Sequence, residues 1–387
     1  MIYLDNAATT YPKPITVRNS VASALQRSAN PGRSGHKMSI RGAEDIFDCR
    51  NELCTFFKAK SPENVILTPG CTFSLNTVIK GLLKNGDHVV ISSLEHTSVL
   101  RPIEKLKNQG MITYSVAKVY AKDHDSTFES FRSAINKHTK LVVCTHASNV
   151  FGLKLPIERI GALCKYYGIL FCVDASQSAG VVNIDLSSST IDYLCIPGHK
   201  GLYGPMGTGA LIINTDTIPD SLCEGGTGSG SLEYSQPSML PDKFESGTVN
   251  LSGVCGLASG VRFVRNKTIK RILTHEISLI RKLYSALSHN DSFILYTDIP
   301  DEENYVPLLS FNVNGMTCED VALLLDSKYD IAVRAGLHCS PLAHQSFGTE
   351  SLGTVRVAPS AFTTPQHIDS LIYAVNDICR HKTRRKE

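Results

Sequence analysis

Short apolar runs alternating with helical patterns constrain this chain more than any other feature. DHVVISS (87–93), KLVVCTHAS (140–148), GILFCVDAS (168–176) and TGALIIN (208–214) are too short for helices and read as buried strands. Between the second and third lies PIERIGALCKYYG (156–168), whose apolar Ile157, Ile160, Cys164 and Tyr167 share one helical face. Pro156 suits the first turn of that helix and Gly168 its stop. Strand, helix, strand in this order predicts right-handed crossovers and a mostly parallel sheet. TIDYLCI (190–196) reads as a further strand. In open α/β sheets ligands sit beyond the carboxyl ends of the strands. The residues that follow these strands are His96, Asn149, Asp174 and Lys200.

Near residue 256 the texture changes. GVRFVRNKTIKRILTHEISLIRKLYSALS reads as a long amphipathic helical stretch, followed by a strand-like VPLLSFNVNG and a helix TCEDVALLLD. The expectation is an α/β chain in two parts. Residues 15–255 form a large domain with a mostly parallel sheet sandwiched by helices. Residues 1–14 and 256–387 form a smaller α+β domain. The 387 residues, 42% hydrophobic, suffice for both cores.

A net charge of +3 with 19% charged residues implies no field suited to nucleic acid or membrane surfaces. The basic tail HKTRRKE reads as a solvated end, and GGTGSGS (225–231) as a flexible loop. No apolar run approaches the ~18 residues of a membrane span. The start MIYLDNAATTYPKP lacks the apolar segment of a signal peptide. Twelve cysteines without a C-x-x-C pair suggest reduced thiols and a cytoplasmic protein. Thirteen histidines show no metal-ligand spacing.

Four features suggest a specific chemistry. Lys200 lies in CIPGHKGLYGPMGTG, a glycine- and proline-rich turn that would hold an amine rigidly. Asp174 ends an apolar strand; alone it reads as a helix cap, and as a buried carboxylate it would pair with a cationic ring nitrogen. His96, alone a turn residue, would stack on a flat ring. Gly70, Cys71 and Thr72 open a helical pattern and offer a phosphate seat. An amine, a carboxylate, a stacking ring and a phosphate seat together describe a pyridoxal 5'-phosphate site.

YLDNAATT at the start, EH, SNVFG, VDASQ, GHKGLYGPMGTG, FESGTVN, RAGLHC and GTVRV follow in order along nearly the whole chain. In these motifs the chain resembles the class V aminotransferase group of fold-type I pyridoxal phosphate enzymes. Within it, the chain is similar to the cysteine desulfurase and selenocysteine lyase family. The resemblance implies that Lys200 carries the cofactor, that Asp174 and Gln177 contact its ring, and that His96 stacks on it. It places His199, Thr72 and Cys71 at the phosphate end. It gives Thr248 to the phosphate of a neighbouring subunit, and hence implies a homodimer. Arg356 would clamp the substrate carboxylate, with Asn149, Arg334 and His36 near the substrate. Many relatives carry a phosphate-binding serine where this chain has Pro197, one hydroxyl fewer.

RAGLHC separates the reactions open to such a site. Cys339 alone is an ordinary loop cysteine. Beside Arg334, Arg356 and His338 it has cationic neighbours that favour a thiolate, with His338 either one of these cations or a spectator. The short interval from Arg334 to Arg356 resembles the compact loop of SufS-type enzymes rather than the long loop of the NifS type. The expected reaction is conversion of L-cysteine to L-alanine. Lys200, Cys339 and His96 would be catalytic, and sulfur would leave as a persulfide on Cys339 for an acceptor protein. Iron–sulfur assembly, thionucleoside synthesis and selenium metabolism all use this chemistry. The rivals are a selenocysteine lyase, an aminotransferase or epimerase with Cys339 idle, and a non-catalytic binding protein of the same fold. The last is disfavoured by the presence of both Lys200 and Asp174.

Overall fold

A computed structural model describes residues 1–32, 34–229 and 232–383. The chain begins with β1 (Ile2–Tyr3), α1 (Ile15–Arg27), α2 (Lys37–Phe57), β2 (Val65–Thr68) and α3 (Cys71–Leu82). It continues through β3 (His88–Ser92), α4 (Thr97–Asn108), β4 (Thr113–Ala117), α5 (His124–Ala134), β5 (Thr139–Thr145), α6 (Ile157–Tyr167) and β6 (Leu170–Asp174). Next come β7 (Tyr193–Pro197), β8 (Gly209–Ile213), α7 (Leu251–Lys267) and α8 (Ile269–Leu287). The last part holds β9 (Phe293–Leu295), β10 (Leu309–Val313), α9 (Cys318–Tyr329), β11 (Ile331–Ala332), β12 (Arg334–Gly336), α10 (Pro341–Ser346), β13 (Thr354–Val357) and α11 (Pro365–Thr383).

Seven strands form the main sheet in the order β2-β8-β7-β6-β5-β3-β4. Neighbours from β7 through β4 run parallel, and β8 is antiparallel to both β7 and β2. Alternate residues face opposite sides, and both sides are apolar. Val90, Val142, Val173 and Leu194 enter one core, whereas Ile91, Val143, Cys172 and Cys195 enter the other. Burial on both faces explains why these strands read as continuous apolar runs. Helix α6 ends on Gly168 in the left-handed conformation (φ 66), as its sequence predicts, with Pro156 one place ahead of the helix as its N-cap.

The amphipathic stretch after residue 256 is two helices rather than one. Thr268 breaks it at φ 68, and its hydroxyl accepts the Arg271 N–H to cap α8. Residue 256 itself lies within α7. The core passes onward along α8: Leu273 and Ile277 join the first cluster, Leu279, Ile280 and Leu283 a second one. That second core lies under a four-stranded sheet of order β12-β13-β10-β9. β1 pairs in parallel with β11, so the chain's start joins this second region. Among the described residues no helix is long and apolar enough to cross a membrane. Residues 384–387 of the basic tail, and residues 230–231 of the glycine-rich run, lie outside those described.

Candidate active site

The parallel strands deliver their carboxyl ends to one edge of the sheet, where a cavity of about 660 Å³ opens. That lies within the range of about 300–1,000 Å³ typical of small-molecule sites. Lys200, Asp174, Gln177, His96, His199, Thr72, Cys71, Asn149, Arg334, Arg356 and Cys339 all line it. Thr248 and His36 do not. Both are exposed. His36 caps α2, its Nδ1 accepting the Ser39 N–H at 3.2 Å.

The turn carrying Lys200 is close-packed. A Cβ on Gly201 would lie 2.5 Å from the Ala179 carbonyl oxygen, and one on Gly198 2.2 Å from the Thr208 Oγ1. The N-terminal segment holds this turn from the other side. The His199 carbonyl accepts from the Thr10 N–H (3.1 Å), the Thr9 hydroxyl (3.1 Å) and Lys13 Nζ (2.8 Å). Burial pushes the Lys200 ammonium below its ordinary value; Asp174 opposes this, and Arg356 adds to it. An amine so disposed is readily available in its neutral, nucleophilic form.

Asp174 is 2% exposed. Its Oδ1 accepts the Ser176 N–H at 2.8 Å and the Cys71 thiol at 3.3 Å. Gln177 is fixed by its Nε2 donating to the Ala7 carbonyl at 3.1 Å. His96 is the N-cap of α4: its Nδ1 accepts the Ser98 N–H at 3.1 Å. That bond leaves the ring proton on Nε2. Burial, reinforced by Lys200 and Arg334 against Asp174, holds this imidazole down at about 4, so it is neutral near pH 7. The turn role and the cavity role fall to the same residue.

Helix α3 starts at Gly70 with no side-chain cap, which leaves its first N–H groups free to receive an anion. Thr72 Oγ1 in that first turn lies 2.7 Å from Ser98 Oγ, a second hydroxyl on the cavity wall. The sequence reading missed Ser98, although its place two residues after His96 in EHTS is an N-capping signal. It also missed Lys13 and Asp5. His199 Nδ1 is buried without a partner among the described residues, which marks a hydrogen bond to be completed from the cavity. Burial, with Lys200 and Lys13, holds this ring at about 4. A free amine, a buried carboxylate, a neutral flat ring, an uncapped helix end with a hydroxyl and an unpaired imidazole nitrogen fit pyridoxal phosphate. Pro197 lines the cavity with no hydroxyl to offer. Among the described residues no cluster of three or more His, Cys, Asp or Glu side chains suits a metal.

The opposite wall comes from the second region. Arg334 and Arg356 face each other across β12 and β13. Arg356 is 1% exposed; it donates through Nη2 to Asp5 and through Nη1 to the Asn149 carbonyl, both at 2.8 Å, and its Nε is unpaired among the described residues. Cys339 is exposed at the cavity, with Arg334 Nη2 3.9 Å from its sulfur. Of the two readings of His338, cation or spectator, its surroundings favour the spectator. Burial and the two arginines depress it to about 2, so it stays neutral. Nor is the cysteine loop long or slack. The interval to Arg356 holds β12, α10 and β13, joined by short turns over 337–340 and 347–353. His338 (φ 51) and Cys339 (φ 59) both adopt the left-handed conformation, at a cost of roughly 1–2 kcal/mol per residue.

Known proteins share this frame. A cysteine desulfurase from Thermococcus onnurineus superposes with a TM-score of 0.90 at 29% identity, covering 98% of this chain and 95% of that one. The cysteine desulfurase CsdA from Escherichia coli gives 0.86 at 25% identity, covering 97% and 94%. A probable cysteine desulfurase from Methanothermobacter thermautotrophicus is 32% identical, over 97% of this chain and 94% of its own. The family model for class V aminotransferases matches residues 2–371, through both the lysine turn and the cysteine turn, and the chain belongs to that family.

Proposed function

We propose that this protein is a pyridoxal phosphate-dependent cysteine desulfurase, converting L-cysteine to L-alanine and holding the sulfur as a persulfide on Cys339. One observation carries the reading: an exposed thiol lies on the same cavity as Lys200, Asp174 and Arg356. Its relatives' names agree. Thr72, Ser98 and His199 would hold the cofactor phosphate, Asp174 its ring nitrogen, Gln177 and His96 its ring. When bound, the cofactor supplies an aldehyde that takes the substrate amine and a ring that absorbs the electron pair left at Cα.

Arg356 binds and orients the carboxylate, its guanidinium already set by Asp5 and Asn149. Lys200, whose burial favours the neutral amine, moves the proton at Cα. The Cys339 thiolate attacks the substrate sulfur. A sulfur–sulfur bond forms, the Cβ–sulfur bond breaks, and its electron pair stays on carbon. A proton then completes the methyl group of alanine. No outside oxidant is needed. A thiol or an acceptor protein takes the sulfur from the rim.

The parts expected from sequence divide this work: 15–255 holds the cofactor side, while 1–14 with 256–387 brings Arg334, Cys339 and Arg356. A second copy of the chain would bring its own Thr248 to the phosphate end in a homodimer. Twelve free thiols suit a reducing cytoplasm, and iron–sulfur assembly is a fitting use of the sulfur. The test is Cys339→Ala. The purified variant keeps the cofactor band near ~420 nm and forms no alanine from L-cysteine. Alanine formed at the wild-type rate sinks the proposal.

A further inference from the structure

The strained turn at Cys339 has one internal hydrogen bond, from the Ser340 N–H to the Leu337 carbonyl at 3.0 Å. Further restraints come from the His344 N–H in α10, which donates to the Ser340 carbonyl at 3.2 Å, and from the sheet side of the cavity. Asn149 grips both flanks: Nδ2 donates to the His338 carbonyl at 2.8 Å, and Oδ1 accepts the Ser340 hydroxyl at 2.6 Å. The Thr97 N–H, at the start of α4, donates to the carbonyl of Cys339 itself at 2.8 Å. Asn149 is 9% exposed and Ser340 fully buried, so water competes little for these bonds. The backbone carbonyl of Asn149 meanwhile accepts from Arg356 Nη1.

The family resemblance puts Asn149 near the substrate, yet both ends of its amide are engaged by the turn. We propose that Asn149, acting with Ser340, is a positioning residue for Cys339. It holds two adjacent left-handed residues in place, keeps the thiol over the cavity beside Arg334, and ties that turn to Arg356. One residue thus touches both the carboxylate clamp and the turn that carries the nucleophile. This rests on Cys339 being the sulfur acceptor.

L-Cysteinesulfinate makes the test selective. Its Cβ–sulfur bond breaks with loss of sulfur dioxide, the electron pair again staying on carbon, and no thiol is needed. Ser340→Ala and Asn149→Ala remove one bond from its two ends, and the double variant completes a cycle. In the holoenzyme, Ser340→Ala lowers kcat for L-cysteine by 10-fold or more, with KM within 3-fold. Its turnover of L-cysteinesulfinate stays within 3-fold. The double variant is no slower than Asn149→Ala. In cofactor-free Asn149→Ala, amide exchange at Ser340 is at least 10-fold faster than in the cofactor-free wild type while the sheet is unchanged. A KM for both substrates that rises in Asn149→Ala, with Ser340→Ala silent, makes Asn149 a plain substrate contact and overturns the proposal. An equal loss on both substrates in Ser340→Ala also overturns it, as a general structural defect. Cys339→Ala run alongside separates the two levels: if it still desulfurates L-cysteine, the proposed function itself fails.

Discussion

Glu95, immediately before His96, is fully buried, and burial pushes its carboxyl from 4.5 up to about 8. Its Oε1 accepts from the Ser92 hydroxyl and from the Thr145 N–H, the latter at 2.7 Å, and Oε2 has no partner among the described residues. The two bonds oppose the rise but are outweighed by burial. The folded protein therefore holds a proton that the unfolded chain releases above pH ~4.5. Unfolding releases that proton, so stability falls as pH climbs from about 5 to about 8 and levels off above. The step is worth at most about 5 kcal/mol at ~1.4 kcal/mol per pH unit. Glu276 rises to about 8 for the same reason and adds a like contribution. Glu95→Gln keeps the accepting oxygen, cannot ionise, and removes the Glu95 contribution alone. Melting temperatures of wild type and variant, taken from pH 5 to 9, isolate it because all other groups cancel in the difference. The expected difference starts near zero at pH 5 and grows in the variant's favour to roughly 6 °C at most. Parallel curves across this range refute a neutral Glu95.

Two further outcomes follow from the cofactor end. Pro197→Ser restores a hydroxyl beside Gly198 and tightens pyridoxal phosphate binding about 10-fold, as a hydrogen bond to a charged group contributes about 1.5–3 kcal/mol; equilibrium dialysis giving an unchanged Kd rules out a missing phosphate contact there. Asp174→Asn retains an oxygen for the Ser176 N–H but removes the buried charge, and kcat for alanine formation falls about 100-fold or more. Solvent-deuterium exchange at the substrate Cα should slow in parallel, and wild-type exchange in that variant contradicts the role given to Asp174.

Much of this site is legible in the sequence because it is local. Each strand ends close to where its apolar run ends, so the polar residues at that end or a few positions beyond it, His96, Asn149, Asp174 and Lys200 among them, lie at the carboxyl edge. What the sequence hides is long-range. The reversal of β8 depends on how the 198–208 turn folds back, and TGALIIN has the same composition in either direction. The break at Thr268 is carried by one residue in an otherwise continuous amphipathic pattern. The engagement of the Asn149 amide, 189 and 191 positions from its partners, has no local signature. The depressed basicity of His338 likewise depends on burial beside two arginines that the chain brings together only on folding.

Lys200 and Cys339, the two side chains proposed to react, are braced reciprocally across the cavity. Lys200 belongs to the main sheet, yet its turn is held by Thr9, Thr10 and Lys13 from the N-terminal segment, whose β1 pairs with β11 of the second region. Cys339 belongs to the second region, yet its turn is held by Asn149 and Thr97 from the main sheet's edge. Each region thus fixes the reactive group of the other. A displacement between the regions would break hydrogen bonds at both turns at once, those at the Cys339 turn buried, so the amine and the thiol keep their mutual placement. Buried hydrogen bonds are costly to leave unmade, and this cost keeps a strained turn with two left-handed residues in register. A thiol fixed in this way does not swing out to deliver sulfur. On the proposed reaction, an acceptor would take the sulfur at the rim, where Cys339 is already exposed.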